Sequence, residues 1–286
     1  MLLRTWFLAL LLVPAVVSGA EDPDKPAYQY HYQTGKVTVG SSLATIDLPD
    51  GYRYLQTADA RHVVEQEWHN PPNETVLGLV LPAGLEIDGD YAIVISFKDT
   101  GYVKDDDAKS QDYTALLKQM QEATHAGNEE RKRSGYRTIE LLGWAEAPHY
   151  DAEAKKAYWA KSLQIEGAQV TELNYDIRVL GRRGVLVITA LGALPQLAEI
   201  AASGKAVMAK TEFTAGNRYA DFSEGSGDKI AAYGIAGLIA GGVLAKAGFL
   251  KLLWLGALKL IKPLIFLFVV IGGVIAKMFG RGKNAA

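Results

Sequence analysis

The chain has 286 residues, no cysteine, 30 Lys and Arg against 32 Asp and Glu, and a formal net charge of -2. The absence of thiols excludes disulfides and thiolate zinc sites, so an ordinary apolar core must hold the fold. Charge is unevenly placed: residues 21–229 carry all 32 acidic residues and 22 basic ones, whereas residues 230–286 carry seven basic residues and no acidic one. An acidic domain of this kind is not built to bind phosphate backbones, and no nucleic-acid partner is expected.

Met1 to Arg4 forms a short positive start, Trp6 to Val17 is apolar, and Ser18-Gly19-Ala20 supplies small residues before Glu21. This pattern predicts a signal peptide over residues 1–20, and the apolar run is too short to favour a spanning helix. An uncleaved N-terminal anchor is the alternative. The domain at 21–229 is then expected outside the cytoplasmic membrane.

Within that domain, strands are expected at Lys36–Val39 and Leu43–Leu48, with a turn signal at Pro49-Asp50-Gly51 before Tyr52–Leu55. Thr57 is expected to cap a helix over Ala58–Trp68, stopped by Asn70-Pro71-Pro72. The β-rich runs Thr75–Leu81 and Tyr91–Phe97 follow. A long helix is expected from about Asp112 to Arg133, with Leu116, Leu117, Met120 and Ala123 as its buried stripe and Gly135 closing it. Four more strands read as Ile139–Ala145, Ala157–Gln164, Val170–Val179 and Gly184–Ala190, with Gly181-Arg182-Arg183-Gly184 as a tight hairpin loop. A helix over Leu194–Ala209 and a polar segment, Gly216–Gly227, complete the domain. Strands mostly in meander order with about three helices predict an α+β fold with a mixed or mainly antiparallel sheet.

From Ile230 the chain is apolar and purely basic, which predicts a C-terminal hydrophobic helical membrane tail over 230–286. Its main span is expected within 252–276, long enough to cross roughly 30 Å of hydrocarbon. Lys277 and Arg281 would then lie on the cytoplasmic side. Lys251, Lys259 and Lys262 fall on one helical face, as in a helix lying at the interface, and Pro263 ends or bends it. These five basic residues are the expected membrane-anchoring side chains. One layout has a surface helix followed by a single span; the other is a hairpin of two spans, which conflicts with the charge bias. Gly234, Gly237, Gly241 and Gly242 fit close helix contact with a second segment or a second copy.

Four sets of residues bear on chemistry. Asp105, Asp106 and Asp107, with Asp112, could hold a hard cation or could cap a helix. They lack the alternating spacing and closing Glu of a calcium loop, so no metal is expected. His69 and His149 are the histidines placed among polar or aromatic neighbours as acid–base candidates, against a reading as ordinary loop histidines. Trp144, Tyr150, Tyr158 and Trp159 could line a groove for a glycan or peptide, or could pack as core. Neither a GxSxG elbow nor a phosphate loop is present, and no cofactor is expected.

Several long phrases carry a resemblance: Leu48-Pro-Asp-Gly-Tyr-Arg-Tyr-Leu55, Trp68-His-Asn-Pro-Pro72, Gly101-Tyr-Val-Lys-Asp-Asp-Asp-Ala108, Leu142-Gly-Trp-Ala-Glu146, Tyr158-Trp-Ala160 and Asn174-Tyr-Asp-Ile-Arg-Val-Leu-Gly-Arg-Arg-Gly184. Together they are similar to DUF2167, a bacterial family of membrane-anchored proteins of unknown function, over roughly residues 30–280. The resemblance implies a Gram-negative envelope protein and no activity.

The expected function is a non-enzymatic protein of the inner membrane, its soluble domain on the periplasmic side, that binds a partner or helps assemble a membrane complex. Its expected partners are the lipid bilayer and either further copies of itself or another envelope protein. A periplasmic hydrolase acting on glycan or peptide, and an oligomeric transport or channel component, are the alternatives.

Overall fold

The computed structural model describes residues 28–70 and 72–241. The expected signal peptide, the spans of the tail, and Lys251, Lys259, Lys262, Lys277 and Arg281 lie outside the described residues. Among the described residues no helix is long and apolar enough to cross a membrane.

Eight strands form one sheet in the order β1-β4-β5-β6-β10-β9-β8-β7. They are β1 (Tyr32–Gln33), β4 (Arg53–Gln56), β5 (Val76–Leu81), β6 (Ala92–Lys98), β7 (Ile139–Asp151), β8 (Lys156–Ile165), β9 (Glu172–Leu180) and β10 (Val185–Ala193). A second sheet orders β11 (Thr211–Phe213), β3 (Ala44–Asp47) and β2 (Lys36–Val39). Every strand pair is antiparallel, which resolves the open choice between a mixed and an antiparallel sheet.

Alternation along the central strands directs side chains to two faces. On one face, Leu173, Tyr175 and Ile177 of β9, Ile188 of β10 and Ile93 and Ile95 of β6 form a core with Ile200 and Val207 of α3 (Leu197–Ala209). Val37, Ile46 and Phe213 of the small sheet belong to the same core. On the other face, Ala60 of α1 (Thr57–His62) with Val63 and Val64 packs on Leu55, Val76, Leu79 and Val94.

The hairpin between β9 and β10 closes with Gly181 N–H donating to Gly184 O at 2.8 Å. Its glycines are required by close approach. A Cβ on Gly184 would stand 2.1 Å from Lys98 O, and one on Gly181 would stand 2.6 Å from the Phe213 ring. The loop sequence is therefore a packing requirement of β6 and β11.

Three elements depart from the sequence expectation. Thr57 is the first helical residue of α1, not its cap: Gln56 stands at the N-cap without a side-chain bond, and Thr57 Oγ1 instead donates to Leu77 O at 2.9 Å. The helix then widens into a π turn over Val63–Glu67, in which Trp68 N–H bonds Val63 O at 2.9 Å. β7 continues to Asp151 instead of ending at Ala145, because three register shifts let it follow β8 while bending. The short β1, β11 and α4 (Ile235–Ile239) carry no periodicity of their own, being two, three and five residues long.

α2 (Tyr113–Arg133) begins where expected. Asp112 caps it by accepting from the N–H groups of Thr114 and Ala115 at 3.0 Å each. Leu116 and Met120 are buried, while Leu117 and Ala123 are half-buried. The helix also protects the sheet edge. Asn128 takes both backbone groups of Ile139, at 2.9 and 3.0 Å, and Gln121 Nε2 donates to Leu141 O at 3.1 Å. With those groups occupied, the edge cannot pair with another strand there.

Gly78 lies under Tyr54, whose ring atoms would stand 2.2 Å from a Cβ at that position. Gly78→Ala is expected to destabilise the domain by about 1–3 kcal/mol, seen as a lower midpoint in chemical denaturation.

Candidate functional site

The acidic run does not converge on a common point. Asp105 accepts from Tyr150 OH at 2.6 Å, Lys155 Nζ at 2.7 Å and Tyr219 OH at 3.1 Å. Desolvation pushes its carboxyl upward, but these three donors outweigh it and hold the group below its ordinary value. Asp106 is exposed. Asp107 accepts from the N–H groups of Ile235 and Ala236 at 2.9 and 3.2 Å and so caps α4, while Asp112 caps α2. Among the described residues no group of three or more His, Asp or Glu is arranged to hold a metal ion.

The aromatic candidates are separated by the pleat. Trp159 is fully buried with Arg178 stacked 4.9 Å from its ring, and its Nε1 has no hydrogen-bond partner among the described residues. Tyr158 points to the opposite face, where Lys205 Nζ lies 4.6 Å from its ring. Trp144 donates its Nε1–H to Tyr113 O at 3.1 Å, which ties β7 to the start of α2. Tyr150 holds Asp105. The four rings do not line one groove.

His69 and His149 are both exposed. His69 follows the π turn, with φ of 53° and its Nδ1 2.9 Å from Glu67 O. His149 sits on β7, its ring 5.0 Å from Tyr158. Since α1 packs near one end of the sheet and β7 is the strand at the other end, the two histidines cannot share a site.

Two other constellations stand out. The first is a buried ion cluster on the central strands. Asp176 of β9 is 3% exposed; Lys161 Nζ lies 2.8 Å from its Oδ2, and Arg178 and Thr189 donate to its Oδ1 at 3.0 and 3.1 Å. Burial alone would raise this carboxyl, but the two cations hold it far below the ordinary range. Alternation places Asp176 and Arg178 on one face of β9, and the antiparallel partners Trp159 and Thr189 meet them there.

The second is a cleft of about 310 Å³ where β1 and β2 meet the start of α1. At its rim, His31 N–H donates to Asp59 Oδ2 at 2.8 Å, and His31 Nδ1 lies 3.2 Å from the same oxygen. Tyr28 OH donates to Asp59 Oδ1 at 2.8 Å, and the Tyr28 ring stacks on His62 at 3.7 Å. Desolvation raises the Asp59 carboxyl, but the His31 and Tyr28 bonds prevail and lower it. Gln33, Thr38, Gln56 and Thr57 supply the remaining polar lining, backed by Leu77 and Tyr54. Sequence reading passes over this pair because His31 and Asp59 are 28 residues apart and no fixed spacing marks them.

A model of a protein family, described as protein of unknown function (DUF2167), matches residues 31–272. The chain belongs to the DUF2167 family. No curated protein matches it. Among solved structures, this DUF2167 chain is similar to the cyanobacterial PsbP protein CyanoP from Synechocystis sp. PCC 6803, at 8% identity and a TM-score of 0.38, over 66% of this chain and 96% of that one. It is also similar to the Ran-binding protein Mog1p of Saccharomyces cerevisiae, at 10% identity and a TM-score of 0.34, over 68% of this chain and 100% of that one. Neither likeness bears on the cleft or the ion cluster.

The Asp176 cluster makes a signed prediction. Its folded carboxyl titrates below the unfolded value near 3.8, so its contribution is complete above that value and is lost as pH falls through the folded one. Asp176→Asn in the DUF2167 protein is expected to cost about 3–5 kcal/mol near neutral pH, because it strands Lys161 and Arg178 in the interior. It is also expected to flatten the acid limb of a plot of melting temperature against pH; an unchanged limb would contradict the assignment. At the C-terminal side, Asp107→Ala is expected to speed amide exchange at Ile235 and Ala236 by about fivefold, since it removes a cap worth about 1 kcal/mol.

Proposed function

We propose that this DUF2167 protein is an anchored protein of the bacterial inner membrane, its sheet domain on the periplasmic side, that works by binding a partner or assembling a membrane complex. The signal-like N-terminus and the apolar basic stretch from Ile230 supply the topology.

The observation that carries the reading is how the chain leaves the domain. The compact unit continues to Gly241. Tyr102 N–H donates to Lys229 O at 2.7 Å and Ala231 N–H to Tyr102 O at 2.8 Å, which forms a bridge to Ile230. Arg182 Nε holds Asp228 Oδ2 at 2.7 Å, and Asp107 caps α4. The chain is thus fastened to the sheet domain at three points, one just before the apolar stretch at Asp228 and two within it at Ile230 and Ile235–Ala236. A flexible linker would serve a tethered enzyme equally well. A fastened exit suits a domain that must present a surface in a set orientation, since less conformational freedom is lost on docking.

The test is to wash membranes at alkaline pH, solubilise the full chain in detergent and determine its native mass. Retention in the membrane together with a defined mass above the monomer, as a homo-oligomer or with a stoichiometric partner, is the expected result. Release by the wash, or a clean monomer, would overturn the reading.

A further inference from the structure

We infer that the cleft between β1, β2 and the start of α1 is a binding site for a neutral saccharide, with His31 set in place by Asp59 as one of its recognition groups. The inference goes beyond the membrane reading and does not depend on it.

Among the described residues neither Lys nor Arg lines the cleft, and its one carboxylate is already taken by three donors: Tyr28 OH at 2.8 Å, His31 N–H at 2.8 Å and His31 Nδ1 at 3.2 Å. Asp59 is 6% exposed and serves to orient the His31 ring, whose side chain is 83% exposed. Asp59 keeps its negative charge, which disfavours an anionic ligand, while its oxygens are already occupied by these donors. What remains is two amides, Gln33 and Gln56, two hydroxyls, Thr38 and Thr57, and the imidazole. Amides and hydroxyls both donate and accept, and Thr57, whose hydroxyl proton is given to Leu77 O, keeps its lone pairs as acceptors.

A ligand that satisfies such a set must itself offer donors and acceptors at close spacing without net charge, and that description fits the hydroxyls of a sugar ring. Leu77, half-buried, backs the cleft with apolar surface, which suits the C–H face of the same ring. The volume of about 310 Å³ is at the lower end of small-ligand sites and suits a short saccharide. The site is firmly held. Tyr54 OH donates to Leu77 O at 3.0 Å, β1 is zipped to β4 by the pairs Tyr32–Leu55 and Gln33–Tyr54, and the Tyr28–Asp59 bond fixes the incoming chain on α1.

The experiment is saturation-transfer NMR on the full chain in a detergent without a sugar head group, with glucose, N-acetylglucosamine and chitobiose as the probes. At least one probe is expected to receive saturation on its ring protons. The double variant Gln33→Ala, Gln56→Ala is expected to weaken that probe by about thirtyfold, since each of the two lost hydrogen bonds contributes about 1 kcal/mol. The single variant His31→Ala should weaken it as well. All three side chains reach solvent, and an unchanged melting temperature confirms that each variant is folded. No transfer to any of the three probes, or equal transfer in wild type and folded variants, would overturn the inference. The native-mass measurement can fail or succeed separately, so the two readings are distinguishable.

Discussion

Strands β9 and β10 are covered on both faces, and most of the architecture follows from that. Every residue from Leu173 to Leu180 and from Val185 to Gly192 is buried. A strand pair in this position cannot leave one face to water as a simple antiparallel sheet does. One face is covered by α3 and the small sheet, brought together from the two ends of the domain. The other carries the α1 cover beside β5 and, at the centre, charged groups on Asp176, Arg178 and Lys161 instead of a continuous apolar layer. Those charges are tolerable only as a set, because each one alone would be stranded out of water.

Carboxylates do much of the remaining work of fastening the chain. Asp59 ties the lead-in segment to α1, Asp105 joins β7 to the segment at Tyr219, Asp107 and Asp112 cap helices, and Asp228 holds Arg182 of the β9–β10 loop. The net acidity of residues 21–229 is therefore not simply a solvated surface. The Asp105–Asp107 run in particular, compact in sequence, is dispersed in space: one member joins a tyrosine–lysine network, one faces solvent, and one caps α4.

The exit of the chain and the cleft lie in different parts of the fold and obey different chemistry. The exit is held by backbone bridges and ionised side chains around Tyr102, Asp107 and Asp228. The cleft is lined by neutral hydrogen-bonding groups, with its single charge satisfied internally. An anchored envelope protein whose outer domain also takes a saccharide would use both.

Much of this was legible in the residues. The strand runs of β9 and β10, the Gly181–Gly184 loop, the limits of α2 and its Asp112 cap are local signals, set by residue type, turn chemistry and capping within a few residues. Tertiary structure alone decided the rest. Thr57 looked like a cap and is a tether to Leu77, because a strand twenty residues away offered its hydroxyl a better acceptor. Tyr158 and Trp159, adjacent in sequence, face opposite layers, because the pleat separates neighbours that composition groups together. The His31–Asp59 pair and the strands β1 and β11 exist only through partners more than twenty residues distant in sequence. The physical reason is the same in each case: local sequence determines which conformation a segment prefers, whereas which side chains meet depends on pairings across the chain that no local period records.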